Sequence, residues 1–288
     1  RQRRRGDHQA DPGVRTGEVQ HQPRARDRLD ERTYRREHRC NPHDAERAVL
    51  ERRDRRIHRG QGRRVGGARS RLWPTAANFE RVVRDLAYFT QDQEGPGPGV
   101  LLLHSFWGLT SSVKALADGL ADEGHTVLAP DLNFGEHPYS EDRAVEHLGN
   151  ANPDRLASLV LSSVKLLSDK SAHPTISVVG FGMGGSLGLW ASVRLHSLID
   201  RVVSFYGTQQ IDFAGSESKY LVHLAEEDPY ITDDEAAFME ATMGLESLPV
   251  EMCRYPGTQH GFADPDGDTF DPETFEVAWK KTLDFLGE

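Results

Sequence analysis

The stretch Val178-Val179-Gly180-Phe181-Gly182-Met183-Gly184-Gly185-Ser186 decides how the chain is read: an apolar run that ends in closely spaced glycines is where a strand turns sharply into a helix. Two kinds of chemistry use such a turn. In one, Gly180, Gly182 and Gly185 fit G-x-G-x-x-G, and backbone N–H groups cradle a phosphate. In the other, the turn is a strained elbow that lifts a nucleophile between strand and helix, and Gly182 stands at its apex.

The flanking sequence separates the two. A dinucleotide loop follows the first strand of its unit, and an acid about 20 positions later, at the end of the next strand, takes the ribose hydroxyl. Here at least three elements precede the glycines. The next strand ends at Phe205-Tyr206-Gly207, with Asp200 before it and Asp212 beyond it, so no acid is placed for a ribose. The elbow needs an acid and then a histidine later in the chain, each just past a strand. Asp228, in Ala225-Glu226-Glu227-Asp228-Pro229, and His260, in the loop after Tyr255, occupy those places. Glu226 and Glu227 are rival partners for the histidine. His104 is read as a core histidine rather than a ligand.

From about residue 83 apolar runs alternate with helical spacing. Strands are expected at Val100 to His104, Thr126 to Ala129, Ile176 to Val179, Arg201 to Tyr206, Tyr220 to Ala225 and Val250 to Tyr255. Between them the spacing predicts a helix after Thr110, one opened by Asn152-Pro153, one from the elbow to about Leu198, and one over Asp233 to Leu245. A last helix opens at Asp271-Pro272 and buries Phe275, Trp279, Leu283 and Leu286. Asn133 to Glu146 reads as loop, and an opening strand pair is partly visible in Val82 to Thr90. Near-continuous apolar strands flanked by helices mean an α/β fold whose central sheet is mostly parallel and covered on both faces.

Six segments, HSFWGLT (104–110), VLAPDL (127–132), GFGMGG (180–185), FYG (205–207), AEEDPYI (225–231) and YPGTQHGF (255–262), together resemble the dienelactone hydrolase family of α/β-hydrolases, in that family's order and spacing over residues 78–288. The resemblance implies a single-domain, lidless and cofactor-free hydrolase of small carboxylic esters or lactones; the domain is expected at residues 73–288, and no metal site is expected. It also implies that Asp228 and His260 are acid and base, and that the backbone N–H groups of Phe106 and Met183 form the oxyanion hole.

Two departures stand out. The family's Cys or Ser in G-x-[CS]-x-G-G is Gly182 here, and the acid often found after the first strand's histidine is Ser105. Glycine has no atom that attacks a carbonyl. Three outcomes stay open: weak hydrolysis by water that His260 deprotonates, Ser105 as a substitute nucleophile, or a ligand-binding pseudoenzyme whose pocket Phe106, Trp107 and Phe134 line. Ser186 is expected to pack or cap within the helix, and Cys253 to be an inert core thiol.

Residues 1–72 are a different kind of chain. They hold 22 Arg, no Lys and 11 acidic residues, whereas the remainder carries 13 basic and 34 acidic residues. Apolar residues there number 15 without period, too few to offset the entropy of ordering the backbone, so the segment is expected to be unstructured. The absence of Lys suggests translation from upstream of the true start of a GC-rich gene. Arg52, Arg53, Arg55, Arg56 and Arg59 would carry any nucleic-acid contact, but interleaved acids and the lack of aromatic platforms argue against one. His38, Cys40 and His43 are only three candidate metal ligands, without a fourth. No window reaches the roughly 18 to 20 apolar residues of a membrane span, no secretory signal opens the chain, and Cys40 and Cys253 fall in unlike segments, which suits a reducing cytoplasm.

Overall fold

A computed structural model describes residues 86–288. The expectations for the leader and its arginines, for His38, Cys40 and His43, for residues 73–85 and for the domain boundary at residue 73 lie outside those residues.

Seven strands form one sheet: β1 (Ala87–Thr90), β2 (Gly99–Leu103), β3 (Thr126–Pro130), β4 (Ile176–Phe181), β5 (Ile199–Phe205), β6 (Lys219–Glu227) and β7 (Val250–Gln259). Their order is β1-β3-β2-β4-β5-β6-β7. Only β1 runs antiparallel, against β3; every other neighbour pair is parallel. Among the described residues six helices flank it: α1 (Ser111–Asp122), α2 (Glu141–Asn150), α3 (Pro153–Lys170), α4 (Met183–Arg194), α5 (Asp233–Leu245) and α6 (Pro272–Leu286).

Side chains of successive strand residues point to opposite faces, and the core divides accordingly. Leu101, Leu103, Val178, Val202 and Val222 meet α2 to α5 on one face. Val100, Leu102, Val179, Val203 and Leu221 meet α1 and α6 on the other. Each large apolar side chain fully removed from water contributes roughly 1.5–3 kcal/mol, so both faces must be covered.

Local signals set the helix starts. Thr110 Oγ1 accepts from Val113 N and opens α1, and Asn152 Oδ1 accepts from Asp154 N and Arg155 N ahead of Pro153. Asp271 Oδ1 accepts from Thr274 N at the start of α6. Around α5 the Thr232 hydroxyl and the Glu235 carboxylate cap each other's backbone N–H.

Helix α2 corrects the expected loop over Asn133 to Glu146. Only Ala144 and Leu148 of its ten residues are buried, one apolar contact per turn, while Ser140 caps its N-terminus and Glu141 and Asp142 oppose the helix dipole. In α6 Leu286 is buried, whereas Phe275, Trp279 and Leu283 are half-buried against the core. Cys253 lies on the edge strand β7, half-exposed rather than in the core.

The order of the sheet places the site. From β2 the chain passes outward to β3, then returns to build β4 on β2's other side. The helix after β2 covers one face and the helix after β4 the other. Their loops therefore diverge at the carboxyl ends of β2 and β4 and leave a crevice, the place where open α/β sheets hold ligands.

Candidate active site

Gly182 is the residue between β4 and α4, with φ +49° and ψ −114°. An L-residue held there stores about 1–3 kcal/mol of backbone strain; glycine stores almost none. Its N–H donates to Phe205 O at 2.9 Å, and its carbonyl accepts from Ser186 N at 3.0 Å. The elbow is tight because α4 presses on the end of β2: a Cβ on Gly184 would lie 2.2 Å from Leu103 O. At Gly182 there is room. A Cβ built on it would stand 3.7 Å from His260 Nε2, 3.9 Å from Ser105 Cβ and 3.9 Å from Tyr206 Cδ2.

The imidazole facing that apex is held from behind. His260 Nδ1 lies 2.9 Å from Asp228 Oδ2. The other oxygen, Asp228 Oδ1, accepts from Tyr230 N at 2.9 Å and Ile231 N at 3.0 Å. Those bonds fix the carboxylate, the carboxylate orients the ring, and the ring turns Nε2 to position 182. Glu226, one rival, accepts from Gly257 N and is turned away. Glu227, the other, lines the cleft. Thr269 Oγ1 donates to His260 O at 2.6 Å and ties down the loop that carries the ring.

Met183 is the first residue of α4, so its N–H has no carbonyl a turn earlier in the helix and opens at the helix N-terminus. Phe106 follows β2 in the loop that flanks the crevice, and Asn133 Nδ2 donates to its carbonyl at 2.9 Å. Ser105 and Trp107 also line the cleft. Ser105 Oγ donates to Asp264 Oδ2 at 2.7 Å. Phe134 does not join them: its half-buried ring packs on the core, with the Arg155 guanidinium 3.7 Å over it. Ser186 is buried within α4, and its hydroxyl has no partner among the described residues. His104 is wholly buried, its Nδ1 2.6 Å from Ser105 O while Nε2 accepts from Leu132 N at 2.9 Å, so it supports the loop as a core histidine.

The sequence reading named neither Tyr206, Tyr230 nor Asp264 as site residues. Tyr206 is 1% exposed, carries a positive φ of 39°, lines the cleft and has no hydrogen-bond partner for its hydroxyl among the described residues. Burial first, then the nearby Asp264 and Asp228, push its phenol well above its ordinary pKa, so it stays protonated. Burial likewise raises the carboxyl of Asp264, against the opposing hydrogen bond from Ser105. The available signal was position, since Tyr206 follows the carboxyl end of β5 and Asp264 shares the loop of His260.

The cleft encloses about 1080 Å³. Among the described residues, no group of three or more His, Cys, Asp or Glu is arranged to hold a metal, and no helix is long and apolar enough to cross a membrane.

The sequence pattern of the dienelactone hydrolase family matches residues 86–288. A relative named protein usf, from Aquifex pyrophilus, is 28% identical over 204 residues, 67% of this chain and 88% of its own length. Carboxymethylenebutenolidase 1 of Cupriavidus pinatubonensis is 23% identical over 219 residues, covering 69% of this chain and 90% of its own. Among solved structures, a dienelactone hydrolase-like promiscuous phosphotriesterase from metagenomic libraries superposes with a TM-score of 0.62 at 21% identity, over 70% of this chain and 91% of that one.

Proposed function

The chain belongs to the dienelactone hydrolase family, and from that membership and the site's geometry we propose that it hydrolyses small carboxylic esters or lactones by direct attack of water, without an acyl-enzyme. One observation carries this reading: the imidazole of His260, braced by Asp228, faces the space above Gly182 where a side chain is missing. A water in that space takes the nucleophile's place. His260 Nε2 accepts its proton as the oxygen attacks the carbonyl, Asp228 stabilises the imidazolium, and the Phe106 and Met183 N–H groups receive the developing oxyanion. The proton then passes from His260 to the leaving alkoxide. Phe106, Trp107 and Ser105 hold the substrate's flanks.

Direct attack by water is slow. Subtilisin stripped of its serine loses about 10⁶ in kcat and keeps about 10³–10⁴ over water, and turnover of that order is expected here. The rival reading, a ligand-binding pseudoenzyme of the same fold, is favoured by the same glycine. Hydrolysis of a chromogenic acetate ester by the full chain and by His260→Ala separates them. We expect turnover above buffer that His260→Ala removes, and no covalent adduct with a fluorophosphonate. Equal rates for the two proteins would sink the hydrolase reading.

A further inference from the structure

The cleft's lining has a one-sided charge. Glu141, Glu227, Asp228, Asp264, Asp266 and Asp268 contribute carboxyl groups, and no Lys or Arg is among the described residues that line it. Asp228 faces His260, Asp266 accepts from the Thr110 and Ser112 hydroxyls, and Asp264 accepts from Ser105 Oγ and Asp266 N, while among the described residues no Lys or Arg pairs with any of the six. The described residues share that bias, since residues 86–288 hold 32 acidic against 11 basic residues. Field lines of one sign concentrate in such a crevice.

Aromatic faces accompany the carboxylates. Trp107, Tyr139 and Tyr230 line the same cleft, and Tyr139 is 85% exposed at its mouth. Deeper in, the buried Tyr206 hydroxyl lacks a partner among the described residues, a polar atom that a ligand entering the cleft would satisfy. Carboxylates supply Coulomb attraction and aromatic faces supply cation–π attraction, and the group that gains from both is an ammonium. A carboxylate-bearing molecule gains from neither.

We propose that the substrate is an ester carrying a positive charge, an alkylammonium or quaternary ammonium ester, whose cationic end lies among Trp107, Tyr230, Glu227 and Asp264 while its carbonyl sits above Gly182. This selectivity sets the chain apart from a carboxymethylenebutenolidase, a relative named for a lactone with a carboxymethylene group. The word ester rests on the hydrolase reading above; the charge preference does not, and binding alone tests it.

The full wild-type chain is titrated calorimetrically with three small molecules of one shape: choline, its uncharged carbon isostere neohexanol, and the anion tert-butylacetate. Choline is expected to bind at least about tenfold tighter than neohexanol, with the anion weakest, and the choline affinity is expected to fall severalfold as salt rises. Asp264→Asn should narrow the preference. Glu227→Gln, at an exposed position that does not threaten folding, should narrow it too. Butyrylcholine and neohexyl butyrate are then compared as substrates. If neither ester is hydrolysed while choline is still preferred, the hydrolase reading fails and the charge inference stands. Equal binding of choline and neohexanol, or tighter binding of tert-butylacetate, overturns the inference whatever the hydrolysis shows.

Discussion

The hydroxyl of Ser105 donates to Asp264 Oδ2 at 2.7 Å, so its proton is directed at a buried carboxyl group rather than at the imidazole of His260. A serine becomes a nucleophile when a base draws off that proton, and the imidazole of His260, braced by Asp228, faces position 182 instead. Ser105→Ala is therefore expected to change ester turnover by less than about tenfold, where His260→Ala abolishes it. It also strips Asp264 of a buried donor and leaves it Asp266 N, which should cost about 1–3 kcal/mol in thermal unfolding. Turnover lost with Ser105→Ala at unchanged stability would make Ser105 the nucleophile.

Gly182→Ser and Gly182→Cys restore the missing atom. No neighbour blocks the new Cβ, whose nearest contact is His260 Nε2 at 3.7 Å, but φ of +49° forces the substituted residue into a strained backbone. The expected result is a pair of changes of opposite sign. Ester turnover rises about 10²-fold or more, while the melting temperature drops by the equivalent of about 1–3 kcal/mol. A fluorophosphonate should then label the serine variant at position 182. Stability lost without any rise in turnover would show that His260 does not act as a base toward the apex.

How much of this was legible in the sequence depended on how much of each element's environment is local. The helices opened by Asn152-Pro153 and Asp271-Pro272 were legible because caps are set by neighbouring residues. So was the pairing of Asp228 with His260, because both follow strands. Helix α2 was not, since two buried residues in ten leave almost no apolar period. Strand β7 runs on through Pro256 to Gln259 because it is the sheet's outer strand, where a residue without an N–H is tolerated; chain-local reasoning stops such a strand at Tyr255. Phe134 was misplaced and Asp264 overlooked for one reason: which way a loop side chain points is decided by partners distant in sequence, Arg155 for the first and Ser105 for the second.

His223, which does not itself line the cleft, gives a separate stability test. Its ring is buried, stacks on Phe205 with centroids 4.3 Å apart, and meets Tyr255 Oη and Thr282 Oγ1. Burial first, then Lys281, lowers its pKa from 6.5 to about 3. Between those values the unfolded chain takes up a proton that the native chain does not, so stability falls as pH drops from 6.5 toward 3 and is unaffected above that window. The loss attributable to this group is on the order of 4 kcal/mol. His223→Gln keeps hydrogen-bonding capacity without titrating. Denaturant unfolding of both proteins across the window should show a flatter profile for the variant, and parallel profiles would mean that His223 is protonated in the native state.

Tyr206→Phe should separate the needs of folding from those of binding. The phenol hydroxyl is buried with no partner among the described residues, and an unmet buried hydroxyl costs about 1–3 kcal/mol. Phenylalanine keeps the ring that lies 4.8 Å from His260, centroid to centroid, and the 5.6 Å edge contact with Phe262, while removing only the oxygen. If the cleft keeps that hydroxyl for a ligand, the variant melts several degrees higher than wild type and binds choline more weakly. A melting temperature that does not rise means the hydroxyl is already satisfied in the free protein, and the cleft then lacks the unmet polar atom on which a ligand for its floor was argued. The paired measurement matters because a purely structural role for Tyr206 moves the melting temperature and leaves the choline affinity alone.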